Sequence, residues 1–202
     1  MSIIRRVTAV EVLFADLEQE IAIFQAETKL HCIAGCGKCC TKPDVEASPL
    51  EFLPWAFHIF KEGRAMEVLE ELKKEPSTIC YLFRPLSTVD SGRGKCGNYV
   101  YRGLICRLFG YAAGRDKLGA LRLATCKIIK ENQQEEYSKT SEDINTGLPV
   151  PIFSEYYQKL SHIDFRLGNK IVTINTALKM ALEEVLHYYA YRPFPSKLKK
   201  VG

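Results

Sequence analysis

The chain has no apolar run near the roughly 18 to 20 residues that a membrane span requires, so an integral membrane protein is not expected. No secretory signal is legible either. Glu11, Asp16, Glu18 and Glu20 interrupt the apolar stretch behind Arg5 and Arg6, and no h-region tolerates that. Charge of one sign is scarce: 28 basic and 24 acidic residues leave a net +4, spread along 202 residues. The densest basic cluster, Lys197-Leu-Lys199-Lys200, is expected to be a solvated end. A nucleic-acid partner is therefore not expected, and neither is a membrane. There is no internal repeat, no low-complexity tract and no glycine-rich phosphate loop. Gly92-Arg-Gly94 has the glycines but lacks the strand–loop–helix setting. With four histidines, no hydrolase triad can be assembled. His58, His162 and His187 fall in expected helices without a partner at metal spacing. His31 adjoins Cys32 and is either a ligand or a solvent-facing helix end.

Cysteine, in contrast, is abundant. Four of the eight occur within nine residues, Cys32-Ile-Ala-Gly-Cys36-Gly-Lys-Cys39-Cys40, and the others are Cys80, Cys96, Cys106 and Cys126. Thiols this close are hard to explain as packing and are too many for one nucleophile. Four thiolates are the usual shell of a structural zinc or an iron–sulfur cluster. With no export signal the expected compartment is the cytoplasm, where a disulfide framework is disfavoured and ligands or redox groups are favoured. Eight thiolates suit two four-coordinate sites, or one cluster with thiols left over. Neighbouring side chains diverge, so Cys39 and Cys40 are expected to serve different metals or to bridge two. The spacing Cys32-x-x-x-Cys36-x-x-Cys39 is also that of radical S-adenosylmethionine enzymes. Lys38 in place of an aromatic, and the lack of alternating strands and helices, count against that identity. Lys38, Lys42 and Lys95 are expected to be ordinary surface cations, whereas Arg107, locked beside Cys106, is expected to offset thiolate charge.

The apolar pattern predicts a fold that is mainly α, with a small β-hairpin and a loop-rich metal-binding centre (α+β, helix-dominated). One domain spans 1–202. Its cysteine core, 32–126, is flanked by an N-terminal helix over about 8–28 and a helical region over about 128–191. Val10, Leu13, Phe14, Leu17, Ile21 and Phe24 recur at spacings of three and four. Ser48-Pro49-Leu50-Glu51 is a capping box with proline at the first helical position. The helix it starts should pass Trp55 and Phe60, hesitate at Gly63 and resume over Arg64–Lys74 before Pro76. Leu108–Ala113 and Leu118–Ala124, joined through Gly114-Arg-Asp-Lys, suggest the hairpin. Ile128–Asn145 is a weakly amphipathic helix, and an aromatic-rich segment follows Pro149 and Pro151 through Phe165. Ile174, Leu178, Ala181, Leu182, Val185 and Tyr189 mark a terminal helix that Arg192-Pro193 stops.

The Cys32–Cys40 run, together with Cys96-Gly-Asn-Tyr99-Val-Tyr-Arg102-Gly-Leu-Ile-Cys106-Arg107, resembles the signatures of the CxxCxxCC family. These are bacterial cysteine-cluster proteins (the YkgJ-like group) described as zinc- or iron-chelating domains. Cys80 before Tyr81-Leu82-Phe83 resembles the cysteine that precedes Pro-Phe-Leu in that family, and the likeness covers about residues 32–110. Gly103 and Gly110 stand where the family favours proline. The resemblance implies a chelated zinc or iron, an iron–sulfur cluster included, in one or two sites, with Tyr99, Arg102 and Arg107 around the ligands. Three functions stay open. One is a redox component working alone or with a protein redox partner, and another is a zinc-stapled interaction domain without catalysis. The third is a metal-dependent enzyme related to flagellin lysine-N-methylase-type proteins. Cys126, outside the motifs, is expected to matter less than Cys36 or Cys106.

Overall fold

The computed structural model describes residues 1–74, 77–86 and 93–195. Pro76, Gly92 and the basic cluster at Lys197–Lys200 lie outside the described residues. The first helix, α1 (Ile3–Thr28), begins five residues before the start expected at about residue 8. The Ser2 hydroxyl accepts the Arg5 N–H at 3.3 Å, and Ile3, Arg6 and Val7 are buried with the expected stripe. The helix ends at Lys29, which takes the left-handed conformation (φ 63°) and donates its N–H to the Gln25 carbonyl.

After the cysteine loop comes β1 (Glu46–Ala47), and then a 3-10 turn over Pro49–Phe52 that continues as α2 (Leu53–Lys61). Glu51 closes the expected capping box, its Oε1 accepting the Ser48 N–H at 2.6 Å. Gly63, at φ +76°, makes the expected break before α3 (Ala65–Lys74). The middle of the chain holds β2 (Phe83–Pro85), β3 (Gly94–Cys96), a 3-10 turn over Tyr99–Tyr101 and α4 (Leu104–Leu108). Of these, the β2–β3 ribbon and α4 had no signal in the apolar pattern. The expected hairpin exists, but as β4 (Ala112–Arg115) and β5 (Leu121–Ala124). Its turn sits later, because the Asp116 carboxylate accepts the N–H groups of Leu118 and Ala120 and Gly119 takes φ +84°. Leu108 accordingly belongs to α4, and Leu118 is almost fully exposed.

The helix expected over 128–145 is two, α5 (Lys127–Asn132) and α6 (Gln134–Thr146), broken at Gln133. The aromatic segment forms α7 (Phe153–Ile163) and α8 (Phe165–Gly168), followed by β6 (Val172–Thr173) and α9 (Ile174–Tyr189). The protein is mainly helical with three small antiparallel two-stranded ribbons among the described residues. None of the described helices is long and apolar enough to cross a membrane.

Helix α9 is the central element. Its buried face, Ile174, Ala177, Leu178, Ala181, Leu182 and Val185, packs on α2, α3 and the Pro49–Phe52 turn, while α1 covers α2 and α7. Arg6, almost without exposure, holds α1 to the far side of the core through Asp164 and Glu184, each at 2.8 Å. A second, smaller core of Phe24, Leu30, Ala113, Leu123, Ile129, Ile144 and Ile152 joins the end of α1 to β4–β5, α5 and α6. The cysteine loop runs between these two cores.

Candidate metal centre

The loop is fixed at its start by backbone contacts. Leu30 is fully buried, and the Gln133 side chain clamps His31 twice. His31 N–H donates to Gln133 Oε1 at 2.9 Å, and Gln133 Nε2 donates to the His31 carbonyl at 2.8 Å. This clamp explains why Gln133 leaves the helix. Next, the Cys32 N–H donates to the Tyr111 hydroxyl at 2.8 Å. Gly35 (φ +70°) and Gly37 (φ +63°) then turn the chain back on itself. Gly94 N–H reaches the Gly35 carbonyl at 3.1 Å, so the β2–β3 ribbon lies against the loop. A Cβ on Gly37 would stand 2.6 Å from the Phe83 ring, and one on Gly94 would stand 2.1 Å from it.

This ribbon carries two of the distant cysteines to the loop. The Cys80 N–H donates to the Cys40 carbonyl at 3.1 Å, and the Phe83 N–H donates to the Cys80 carbonyl at 2.9 Å. Across the ribbon Phe83 pairs with Cys96. Cys106 arrives on α4, whose start is held by Glu51: its Oε2 accepts the Ile105 N–H at 2.8 Å. Glycine at 103 is explained by the same contact, since a Cβ there would lie 2.7 Å from Glu51 Oε2 and from the Phe52 ring. Cys126 caps the start of α5, its sulfur accepting the Ile129 N–H at 3.4 Å.

All eight cysteines are free thiols. Cys80 is buried in the main core, and Cys40, Cys96 and Cys106 pack against it. Cys126 packs on the second core, while Cys32 and Cys39 are exposed. The thiols are close enough to perturb one another. Burial first, and then the charges of Cys39, Cys36 and Cys126, push the Cys32 thiol up. Burial likewise pushes Cys80 up to about 11, with Cys96 and Cys39 adding to it. Burial also pushes the half-buried Cys106 well above the ordinary thiol value, with Cys80, Glu51, Cys39 and Cys96 as its charged neighbours. Cys40 donates to the adjacent Cys39, which lowers Cys39 to about 6 and raises Cys40. Apart from Cys39, the thiols shifted by this crowding resist ionisation until a cation joins them, and zinc and cluster iron are cations that thiolate sets accept. The donor set thus fits a thiophilic metal. Among the described residues, no group of three or more His, Cys, Asp or Glu side chains is placed so that it could hold a metal ion.

The three residues expected around the ligands divide. Arg102 lies over the exposed Tyr99 ring at 3.9 Å. Burial raises the Cys96 thiol, and the Asn98 N–H and the Arg102 charge oppose that rise. The buried Arg107 guanidinium has Cys106 among its charged neighbours, and it binds Glu18, the carbonyls of Arg102 (3.1 Å) and Val100 (2.6 Å), and the face of Phe14. It ties the 99–107 segment to α1. His58 stacks on Tyr101 and meets Glu62 at 3.1 Å, while His162 and His187 are exposed on their helices. His31 Nδ1 lies 3.0 Å from the Lys29 carbonyl.

Gln133 and Tyr111 carry no sequence signal as supports of the loop, and Glu51 carries one for capping alone. Glu51 is fully buried, and Tyr157 stands 3.5 Å from its Oε1. Burial pushes its carboxyl up to about 7 despite the N–H groups of Ile105 and Ser48 that favour the anion.

No family model matches the chain, and no curated protein or solved structure is significantly similar to it. The likeness to the cysteine-cluster family therefore rests on the two cysteine motifs themselves.

Proposed function

We propose that this protein is a metal-chelating cysteine-cluster protein whose thiolates hold zinc or iron. The observation that carries the reading is that eight free thiols, spread over 94 positions of sequence (Cys32 to Cys126), lie in one loop and in segments beside it: the Cys80 N–H donates to the Cys40 carbonyl, Cys96 is on the ribbon, Cys106 is on α4, and Cys126 is among the charged neighbours of Cys32. Ordinary packing does not call for it. A metal supplies the positive charge that lets buried thiols ionise together, and it joins the ribbon and α4 to the helical core.

Two observations bear on what the metal is for. Cys80, Cys40, Cys96 and Cys106 sit on the main core, where a bound metal holds structure together. Cys39 is exposed and acidified, which suits exchange or redox work with a protein partner.

The test is metal and acid-labile sulfide content, with a visible spectrum, on protein purified without oxygen. Iron with sulfide and broad absorption supports the redox use, and zinc without colour supports the structural one. Protein free of both metals, with native stability, overturns the proposal.

A further inference from the structure

The backbone that carries Cys39 and Cys40 does not let their side chains point apart. The Cys40 N–H donates to the Gly37 carbonyl at 2.9 Å, and the Thr41 hydroxyl donates to the Lys38 carbonyl at 3.1 Å. Residues 37–41 are therefore a tight turn, whereas neighbouring side chains alternate in extended chain. In this turn the Cys40 thiol donates to the Cys39 sulfur, which corrects the expectation that the two cysteines serve different metals. Their surroundings differ. Cys39 is exposed. Cys40 is half-buried against the main core, and its carbonyl accepts the Cys80 N–H at 3.1 Å. The pair thus joins one thiol that solutes can reach to a second thiol, anchored by the fold and already in contact with the first.

We propose that Cys39 and Cys40 are a redox pair that reduces a soluble low-molecular-weight disulfide, with Cys39 attacking and Cys40 resolving. The proposal goes beyond the metal-binding reading and concerns the two thiols when no ion covers them. Exposure decides the order, since the attacking sulfur must meet the substrate and the resolving sulfur need only meet its neighbour. In the first step the Cys39 thiolate attacks one sulfur of the substrate. A bond forms between Cys39 and that half, the substrate disulfide breaks, and the other half leaves as a thiolate that takes a proton from water. In the second step Cys40 gives its proton to water and attacks the Cys39 sulfur. The bond between Cys39 and the retained half breaks, and that half leaves as a thiol. Two electrons pass from the pair to the substrate, so two protein thiols and one disulfide become one Cys39–Cys40 disulfide and two small thiols. A disulfide fits the pair because both of its halves leave as thiols and no further reactant is required.

The test mixes the reduced full chain, held in EDTA without oxygen, with glutathione disulfide, and then maps the alkylated peptides by mass spectrometry. Trypsin cuts after Lys38 but not between Lys42 and Pro43, so Cys39 and Cys40 share a peptide, residues 39–61, that holds no other cysteine. In the parent chain this peptide is expected to lose two hydrogens and to escape alkylation, and excess reduced dithiothreitol is expected to restore both thiols. Cys40→Ser is expected to stop at the mixed disulfide, with glutathione retained on Cys39. Cys39→Ser is expected to yield neither product. A parent peptide that stays a dithiol overturns the proposal, and so does a disulfide that joins Cys39 to a cysteine outside this peptide. Release of glutathione from Cys40→Ser at the rate of the parent overturns the role of Cys40. The parent map decides by itself where a variant fails to fold. Metal content is measured separately, so failure of the redox pair and failure of the metal-binding reading are distinct results.

Discussion

Glu51 is the residue whose charge the fold resists most plainly. It has no exposed surface, and burial holds its carboxyl near 7 against an ordinary 4.5. The folded protein therefore keeps the Glu51 proton at pH values where the unfolded chain has released it. Its contribution is full below about pH 4.5 and is lost as pH rises through 7, with a magnitude on the order of 3 kcal/mol. Glu51→Gln keeps an acceptor oxygen and removes the titration. The stability difference between parent and Glu51→Gln, from urea melts over pH 5–8, is expected to shift in favour of the variant as pH rises. A constant difference contradicts the assignment. Cys39 titrates in the opposite sense. Lowered to about 6 by the Cys40 thiol, it is mostly thiolate at neutral pH, whereas Cys80 at about 11 is a thiol. In metal-free protein, iodoacetamide mapped by peptide mass spectrometry is expected to label Cys39 ahead of Cys40, Cys80 and Cys106. The Cys39 rate should fall below pH 6.

At the scale of elements, the β2–β3 ribbon is the part that depends on glycine. Gly94→Ala sets a Cβ into the Phe83 ring and forces the ribbon off the loop, at a cost of about 2 to 4 kcal/mol, and under the proposed metal-binding reading it also lowers metal content. Gly114→Ala, with open space around its Cβ, is expected to change neither thermal stability nor metal content appreciably. Elements with a local signal were legible in the sequence. The capping box at Ser48–Glu51, the break at Gly63 and the apolar stripe of α9 each depend on residues within a few positions. Elements fixed from a distance were not. Gln133 is one polar residue in a weakly amphipathic stretch, and the reason it breaks the helix is the His31 backbone, 102 positions away. In the same way β2 and β3 are too short to show alternation, and they pair because the loop lies beneath them. Helix α1 starts before the expected position because Ser2 caps it, and Ile3 and Val7 extend the spacing of three and four from Val10 toward the N-terminus.

Taken whole, the molecule is a helical body built largely without cysteine, on which a thiol-rich segment is mounted. Trp55, Leu17, Leu53, Leu178 and Leu182 are almost wholly buried among other helical residues. Leu182→Ala is accordingly expected to cost about 2 to 5 kcal/mol whether metal is bound or not. Complete metal removal should lower the melting temperature and release the ribbon, yet leave most far-UV helical signal, and chelation that unfolds the whole chain contradicts this division. The loop Cys32–Cys40 reads as a candidate ligand set from sequence because its spacing is local. That Cys80, Cys96 and Cys106 join Cys40 follows from tertiary contacts through the ribbon and Glu51, which no spacing rule contains. The most direct test of the central claim is X-ray absorption at the metal edge of protein purified without oxygen. A first shell of sulfur at about 2.3 Å is the expected result. A shell of nitrogen and oxygen, or no bound metal to measure, contradicts the account.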